Sequence, residues 1–251
     1  MRRIAWVTHH IPRVEQRHGA LLPGKYAGGA ERNNDYMVNA APPDTQVDWI
    51  DAPDWEQAMD YERIVITGTD KLSEEAMLTL ATRKPLVWVQ HAQHRTPAKR
   101  HLFREADRFV TMSRLHRQWE HEWTGRSDCY VHSPVPSDSV RPAEAKEEFA
   151  LFAGRAHPAK GKLNARIWAQ RAQVRLVELE NQPHEVVLEH MARARWFVHL
   201  PKERDACPLV VIEATLACCQ IITDPNLVGR LEPGDPVEIL DQQPARFWAM
   251  V

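Results

Sequence analysis

Short apolar runs alternate with helix-length stretches along almost all of this chain, and one proline-rich interruption divides the alternation in two. In the first part the runs are residues 4–8, 47–50, 64–67, 86–90, 109–112 and 129–132. Runs that are apolar throughout are strands covered on both faces, and helical stretches between them are the crossovers of a parallel sheet. Helical spacing shows at 113–123, where Leu115 and Trp119 stand one turn apart, and at 32–40. The pattern stops at 133–142, Ser-Pro-Val-Pro-Ser-Asp-Ser-Val-Arg-Pro, and at the polar 143–148 that follows. It restarts with runs at 149–153, 174–179, 197–200, 220–223 and 237–240. Helices are expected at 161–172, carrying Leu163 and Ile167, and at 184–194, carrying Val187 and Met191 behind Pro183. The expected fold is α/β: two Rossmann-like lobes with parallel sheets, residues 1–138 and 149–251, and an interlobe cleft.

Composition excludes several classes. Lys and Arg number 32 against 34 Asp and Glu, a net charge of -2, so no global basic field marks a nucleic-acid binder. The most apolar stretch, 208–222, is broken by Glu213 and Gln220 and is too short to span a bilayer. The amino terminus turns polar at Thr8-His9-His10, without the apolar core of a signal peptide. Four cysteines, with an adjacent pair at Cys218-Cys219 and no Cys-x-x-Cys, argue against a disulfide framework or a structural zinc site. The expectation is a cytoplasmic protein.

Three motifs could carry chemistry. Gly28-Gly29-Ala30-Glu31 lies between the first strand and a helix, where glycine amides can approach an anion, although Gly-x-Gly-x-x-Gly is not met. Gly154-Arg155 and Lys160-Gly161 follow the strand that opens the second part. Six residues separate the two glycines and Leu163 follows Lys162, so this is not a nucleotide-hydrolysing P-loop. Arg155 and Lys160 remain two cations beside a helix start, suited to a diphosphate. The third motif runs from Asp205 through Pro208 to Glu213. Leu209, Ile212 and Leu216 make one apolar stripe, and Glu213 lies on that inward face, where an acid must be paired or hydrogen-bonded. Asp205 also reads as a helix cap.

These motifs, in this order, resemble those of the GT-B glycosyltransferases, most closely the family 4 retaining type. Gly28-Gly29-Ala30-Glu31 matches the family's Gly-Gly-x-Glu, Gly154-Arg155 and Lys160-Gly161 its second-lobe Gly-Arg and Lys-Gly, and Asp205 to Glu213-Ala214 its spaced acids, with Asp at the first position. The resemblance implies transfer of a sugar from a nucleoside diphosphate sugar, UDP- or GDP-linked, to an acceptor hydroxyl, with retention and without a metal or other cofactor. It implies that Arg155 and Lys160 hold the diphosphate, that Glu213 bonds the ribose, and that Asp205, with the backbone around Pro208, Leu209 and Val210, faces the sugar. Gly28 and Gly29 would close over the donor phosphates, and His91, after the run Val-Trp-Val-Gln, would stand near the sugar. The chain departs from the pattern in being shorter than a typical member, in Cys218 where the family has glycine, and in Asp224-Pro-Asn-Leu-Val-Gly229 where it has paired glycines. Those departures leave a catalytically degenerate module, binding a nucleotide or partner without turnover, as the rival reading.

The acceptor is legible only as a charge. Residues 91–126 carry eight Lys or Arg against four acids, with Trp119 and Trp123 interleaved. Such a segment fits an anionic acceptor, and the compact chain fits a viral or mobile-element enzyme acting on a hydroxylated DNA base. A solvated helical face accounts for the same charges. His9-His10 and His91 with His94 lack metal-ligand spacing and read as solvated or hydrogen-bonded histidines.

Overall fold

The computed structural model describes residues 1–9, 29–89, 95–126 and 128–251. They form two compact units, the first made of Met1–Pro134 with Gln242–Val251 and the second of Val135–Asp241.

The first unit is built on β1 (Arg2–Thr8), β2 (Thr45–Asp51), β3 (Arg63–Ile66), β4 (Leu86–Trp88), β5 (Arg108–Thr111) and β6 (Cys129–Tyr130). All neighbours are parallel, in the order β2-β1-β3-β4-β5-β6. The crossovers are helical: α1 (Gly29–Asn39), a 3-10 segment at Ala52–Asp60, α2 (Glu74–Ala81), α3 (Pro97–Glu105) and α4 (Arg114–Thr124). Each of the last three starts on a hydroxyl cap: Ser73, Thr96 and Ser113 accept from the amides of Ala76, Lys99 and His116 at 3.1, 3.2 and 3.1 Å. Ile4 to Val7 of β1 are wholly buried, as continuous apolar runs require.

The second unit repeats the plan with β7 (Glu147–Gly154), α5 (Lys162–Ala172), β8 (Arg175–Glu180), α6 (His184–Arg193), β9 (Ala194–His199), α7 (Leu209–Leu216) and β10 (Gln220–Thr223). Its sheet is parallel in the order β10-β9-β7-β8. Two short helices follow, α8 (Pro236–Asp241) and α9 (Gln243–Trp248).

Three expectations are corrected. Residues 237–240 are helical rather than extended. Asp235 accepts from the amide of Val237 at 2.9 Å and Pro236 supplies the first-turn φ, so the Asp-Pro start outweighs an apolar run of which Leu240 is buried while Val237 is 42% exposed. Leu163 and Ile167 are not the buried face of α5. They are 57% and 40% exposed, and Ala165 and Ala169 face the sheet, because small residues let the helix approach β7 closely. Finally, residues 242–251 group with the first unit rather than with the lobe expected at 149–251. Phe247 lies 5.6 Å from the Trp6 ring and 5.1 Å from that of Trp88, Trp248 donates its indole N–H to the carbonyl of Met37 at 2.9 Å, and Gln243 accepts from the amide of His132 at 3.0 Å. Aromatic packing of this kind outweighs proximity in sequence.

Cys218 adopts a left-handed backbone, φ +59°, at the end of α7. A glycine there would carry no Cβ penalty, which gives the departure at this position a physical meaning.

Candidate functional site

The second unit gathers its polar side chains at the carboxyl edge of the sheet. The chain enters at β7, steps to β8 on one side and crosses back to β9 on the other, so β7 and β9 flank the reversal of strand order. Ligands of open parallel sheets bind outside the carboxyl ends of the strands at such a switch point. Gly154 ends β7 and His199 ends β9.

The loop after β7 is pinned to the chain after β9. Gly161 has φ +80°, and a Cβ on it would lie 1.9 Å from the carbonyl oxygen of Leu200, so only glycine fits. Asn164 donates to that same oxygen at 2.9 Å, and the amide of Lys202 donates to the carbonyl of Ala159 at 3.0 Å. This docking brings the Lys160 ammonium 3.1 Å from Asp205 Oδ2. His199 Nε2 meets the same carboxylate oxygen at 3.1 Å. The backbone of Asp205 is held on both sides: its amide donates to the carbonyl of Leu227 at 2.8 Å, and its carbonyl accepts from the amide of Gly229 at 2.9 Å. The 224–229 segment is thus the clamp on Asp205.

Burial alone would raise the Asp205 carboxyl, but the His199 hydrogen bond and the Lys160 charge outweigh it and hold the acid well below the ordinary carboxylate range. Asp205 is not a helix cap. Pro208 occupies the cap position of α7, with no side-chain cap hydrogen bond. Pro208 has no N–H, so what its backbone can offer a ligand is its carbonyl. Its carbonyl accepts from Val211 at 2.9 Å, and the amides of Leu209 and Val210 are the first two of the helix, with no acceptor inside it.

Glu213 is 1% exposed, as an inward-facing acid should be, and receives a hydrogen bond from His184 Nε2 at 2.8 Å. Arg155 is exposed and forms no ion pair among the described residues, while the Lys160 side chain is 40% exposed. Nδ1 of His199 and Oγ1 of Thr223, on register partners of β9 and β10, are buried with no hydrogen-bond partner among the described residues. Such groups are satisfied by a water or a ligand. Sequence reasoning missed both His199 and His184; each is a single histidine at an element end, without spacing to mark it. Gly29 opens α1, whereas Gly28 and His91 lie outside the described residues, as do His10 and His94. No group of three or more His, Cys, Asp or Glu among the described residues is placed to hold a metal ion. Among the same residues no helix is long and apolar enough to cross a membrane.

No protein-family model and no curated protein sequence matches the chain. Solved structures match over its whole length. Sucrose-phosphate synthase from Thermosynechococcus elongatus superposes with a TM-score of 0.67 at 13% identity, covering 99% of this chain and 90% of that one. AviGT4, a glycosyltransferase involved in avilamycin A biosynthesis, gives 0.61 at 16%, covering 98% and 88%. An alpha-glucosyltransferase in complex with UDP and a 13-mer DNA containing a HMU base gives 0.53 at 10%, covering 99% and 89%. This is the GT-B fold. In GT-B terms the first unit is the amino-terminal lobe, and the second is the carboxyl-terminal lobe that carries Lys160, His199, Asp205 and Glu213.

Proposed function

We propose that this chain is a glycosyltransferase that moves a sugar from a nucleoside diphosphate sugar to an acceptor hydroxyl, with retention and without a metal ion. The observation that carries the reading is the cluster of Lys160, Asp205 and His199 at the switch point of the second sheet. A half-exposed ammonium there can answer the charge that grows on a departing diphosphate. The part-buried carboxylate beside it holds that ammonium in place and offers an anion toward the sugar. Arg155 joins Lys160 on the phosphates, the amides of Leu209 and Val210 add donors, and Glu213 bonds the ribose. The roles of Gly28 and Gly29 at the donor phosphates, and of His91 near the sugar, follow from the sequence resemblance. The donor nucleotide is UDP or GDP; Anabaena HepE, a structural neighbour with a TM-score of 0.58, was solved with UDP and glucose. The acceptor is anionic, a hydroxylated DNA base being the leading example, and the protein acts in the cytoplasm.

The test is a thermal-shift panel of UDP, GDP, ADP and CDP with their sugar conjugates, run on wild type, Lys160→Met and Glu213→Ala. A ligand at about 100 times its Kd adds about 2.7 kcal/mol, enough to raise Tm by a few degrees. One diphosphate should shift wild type and lose its effect in both variants. No shift from any of them, with wild type folded, overturns the donor site. A shift without sugar release to water or any acceptor identifies a binding module instead.

A further inference from the structure

The first unit holds a cavity of about 540 Å³ on the face of α3 and α4, lined by Arg95, Thr96, Arg100, Arg104, Glu105 and Trp123, among others. Its guanidinium groups are of two kinds. Arg95 is fixed: it lies over the Trp123 ring, 5.3 Å from the centroid, and donates to the carbonyl of Trp119 at 2.9 Å. Trp123 in turn packs edge-on against Phe103 at 5.8 Å, so this platform is anchored in the core. Arg100 and Arg104, one helical turn apart, are exposed and form no ion pair among the described residues. Lys99, between them and the core, is buried and answered by Asp70 at 2.6 Å. The first turn of α3 holds no acid, although Lys99 and Arg100 sit there against the positive end of the helix dipole. With Lys99 answered, Arg100 and Arg104 are the cations of this helix that the cavity leaves open to solvent.

We infer that this cavity binds the phosphate backbone of a nucleic-acid strand. Planar guanidinium forks fit phosphate oxygens two at a time, and a guanidinium plane held flat on an indole is a surface on which an unpaired base can stack. A lipid surface is the poorer match, because Pro97 and Trp123 are the apolar residues of the lining among the described residues, and Trp123 is packed against Phe103 with Arg95 over its ring rather than free to enter a bilayer. The inference deepens the acceptor side of the proposed function, and its test needs neither donor nor transfer, so the two can fail separately.

The experiment is fluorescence anisotropy of a labelled oligonucleotide, single-stranded and as a duplex, titrated with the whole chain across a salt series. Wild type should bind, with affinity falling as salt rises. R100Q/R104Q should bind at least about tenfold more weakly, with a log-log salt slope shallower by about 1.4 to 1.8 for two lost phosphate contacts. R100K/R104K should keep the slope while losing part of the affinity. An equal loss of charge elsewhere on the unit, K71Q/K84Q, should change neither beyond experimental scatter. Because Arg100 and Arg104 have no ion-pair partners among the described residues, circular dichroism should show both pocket variants folded; R100K/R104K carries the test if R100Q/R104Q is not. No salt-dependent binding to either form overturns the inference. So does binding that R100Q/R104Q leaves intact, or capture by anionic phospholipid vesicles with none by the oligonucleotides.

Discussion

Asp205 in the second unit and Arg100 with Arg104 in the first are charged groups of similar prominence in the sequence, and the fold treats them oppositely. Asp205 has an ammonium and an imidazole on one oxygen, and backbone hydrogen bonds from a second loop on either side of its Cα. The two arginines have a cavity and no ion pair among the described residues. A carboxylate answered in this way is pre-organised: its desolvation is offset by neighbours that are in place before any ligand arrives. An unanswered cation keeps its pairing capacity for something outside the chain. The comparison separates a site built to hold geometry from a surface built to attract charge, and it can be attacked from either end.

The largest effect is expected where the answered site is hinged. Gly161→Ala puts a Cβ into the Leu200 carbonyl at a φ that L-residues avoid, so strain and clash add. Urea unfolding should show a loss of about 3 kcal/mol or more, and the nucleotide-dependent thermal shift should vanish with it, since the Lys160 loop can no longer dock. A loss below about 1 kcal/mol would mean that the loop relaxes freely and that the site is not pre-organised.

How much of this was legible before the fold was known depends on whether the signal was local. The continuous runs at 4–8 and 149–153 gave their strands because burial on both faces writes itself into every position. Glu213 was legible as a buried acid because helical spacing from Leu209 fixes its face. Asp205 stands out in the third motif, but its environment does not: Lys160, His199 and the 227–229 segment reach it through sheet order and loop docking, which no spacing rule encodes. Val237 and Leu240 misled because an apolar run this short fits either period, and the decision fell to an Asp-Pro start. The face of α5 misled because Leu163 and Ile167 outrank Ala165 and Ala169 in hydrophobicity, whereas the sheet called for small residues.

Two buried histidines sharpen the comparison further. His199 is answered by a carboxylate; His132, 1% exposed in the first unit, has Nδ1 3.1 Å from the carbonyl of Met112. Burial is the main cause that pushes His132 down to about 4 from its ordinary value, against the opposing pull of that carbonyl. With a folded pKa below the unfolded one, the folded state gains from neutral His132 in full above about pH 6.5, and that gain is lost as pH falls toward 4. The difference amounts to about 3 kcal/mol. Urea unfolding at neutral pH and near pH 4 should therefore show wild type losing about that much more stability than His132→Asn, whose amide can keep the bond to Met112. Equal losses in the two proteins would mean that His132 accepts a proton without cost, and that burial in the first unit is answered after all.

The smallest effect bears on the unanswered end. Arg100 sits in the first turn of α3, which contains no acid of its own, and the nearby Asp70 pairs with Lys99, so the Arg100 charge opposes the dipole with no ion pair among the described residues to offset the cost. Arg100→Gln should leave stability unchanged or raise it by a few tenths of a kcal/mol at low salt, a gain that added salt erases. The same substitution weakens oligonucleotide binding if the cavity holds phosphate. Opposite signs for stability and binding are what distinguish a residue kept for a ligand from one kept for the fold. A Tm that falls by several degrees would show that Arg100 has an intramolecular partner, and would place it with Asp205 on the answered side.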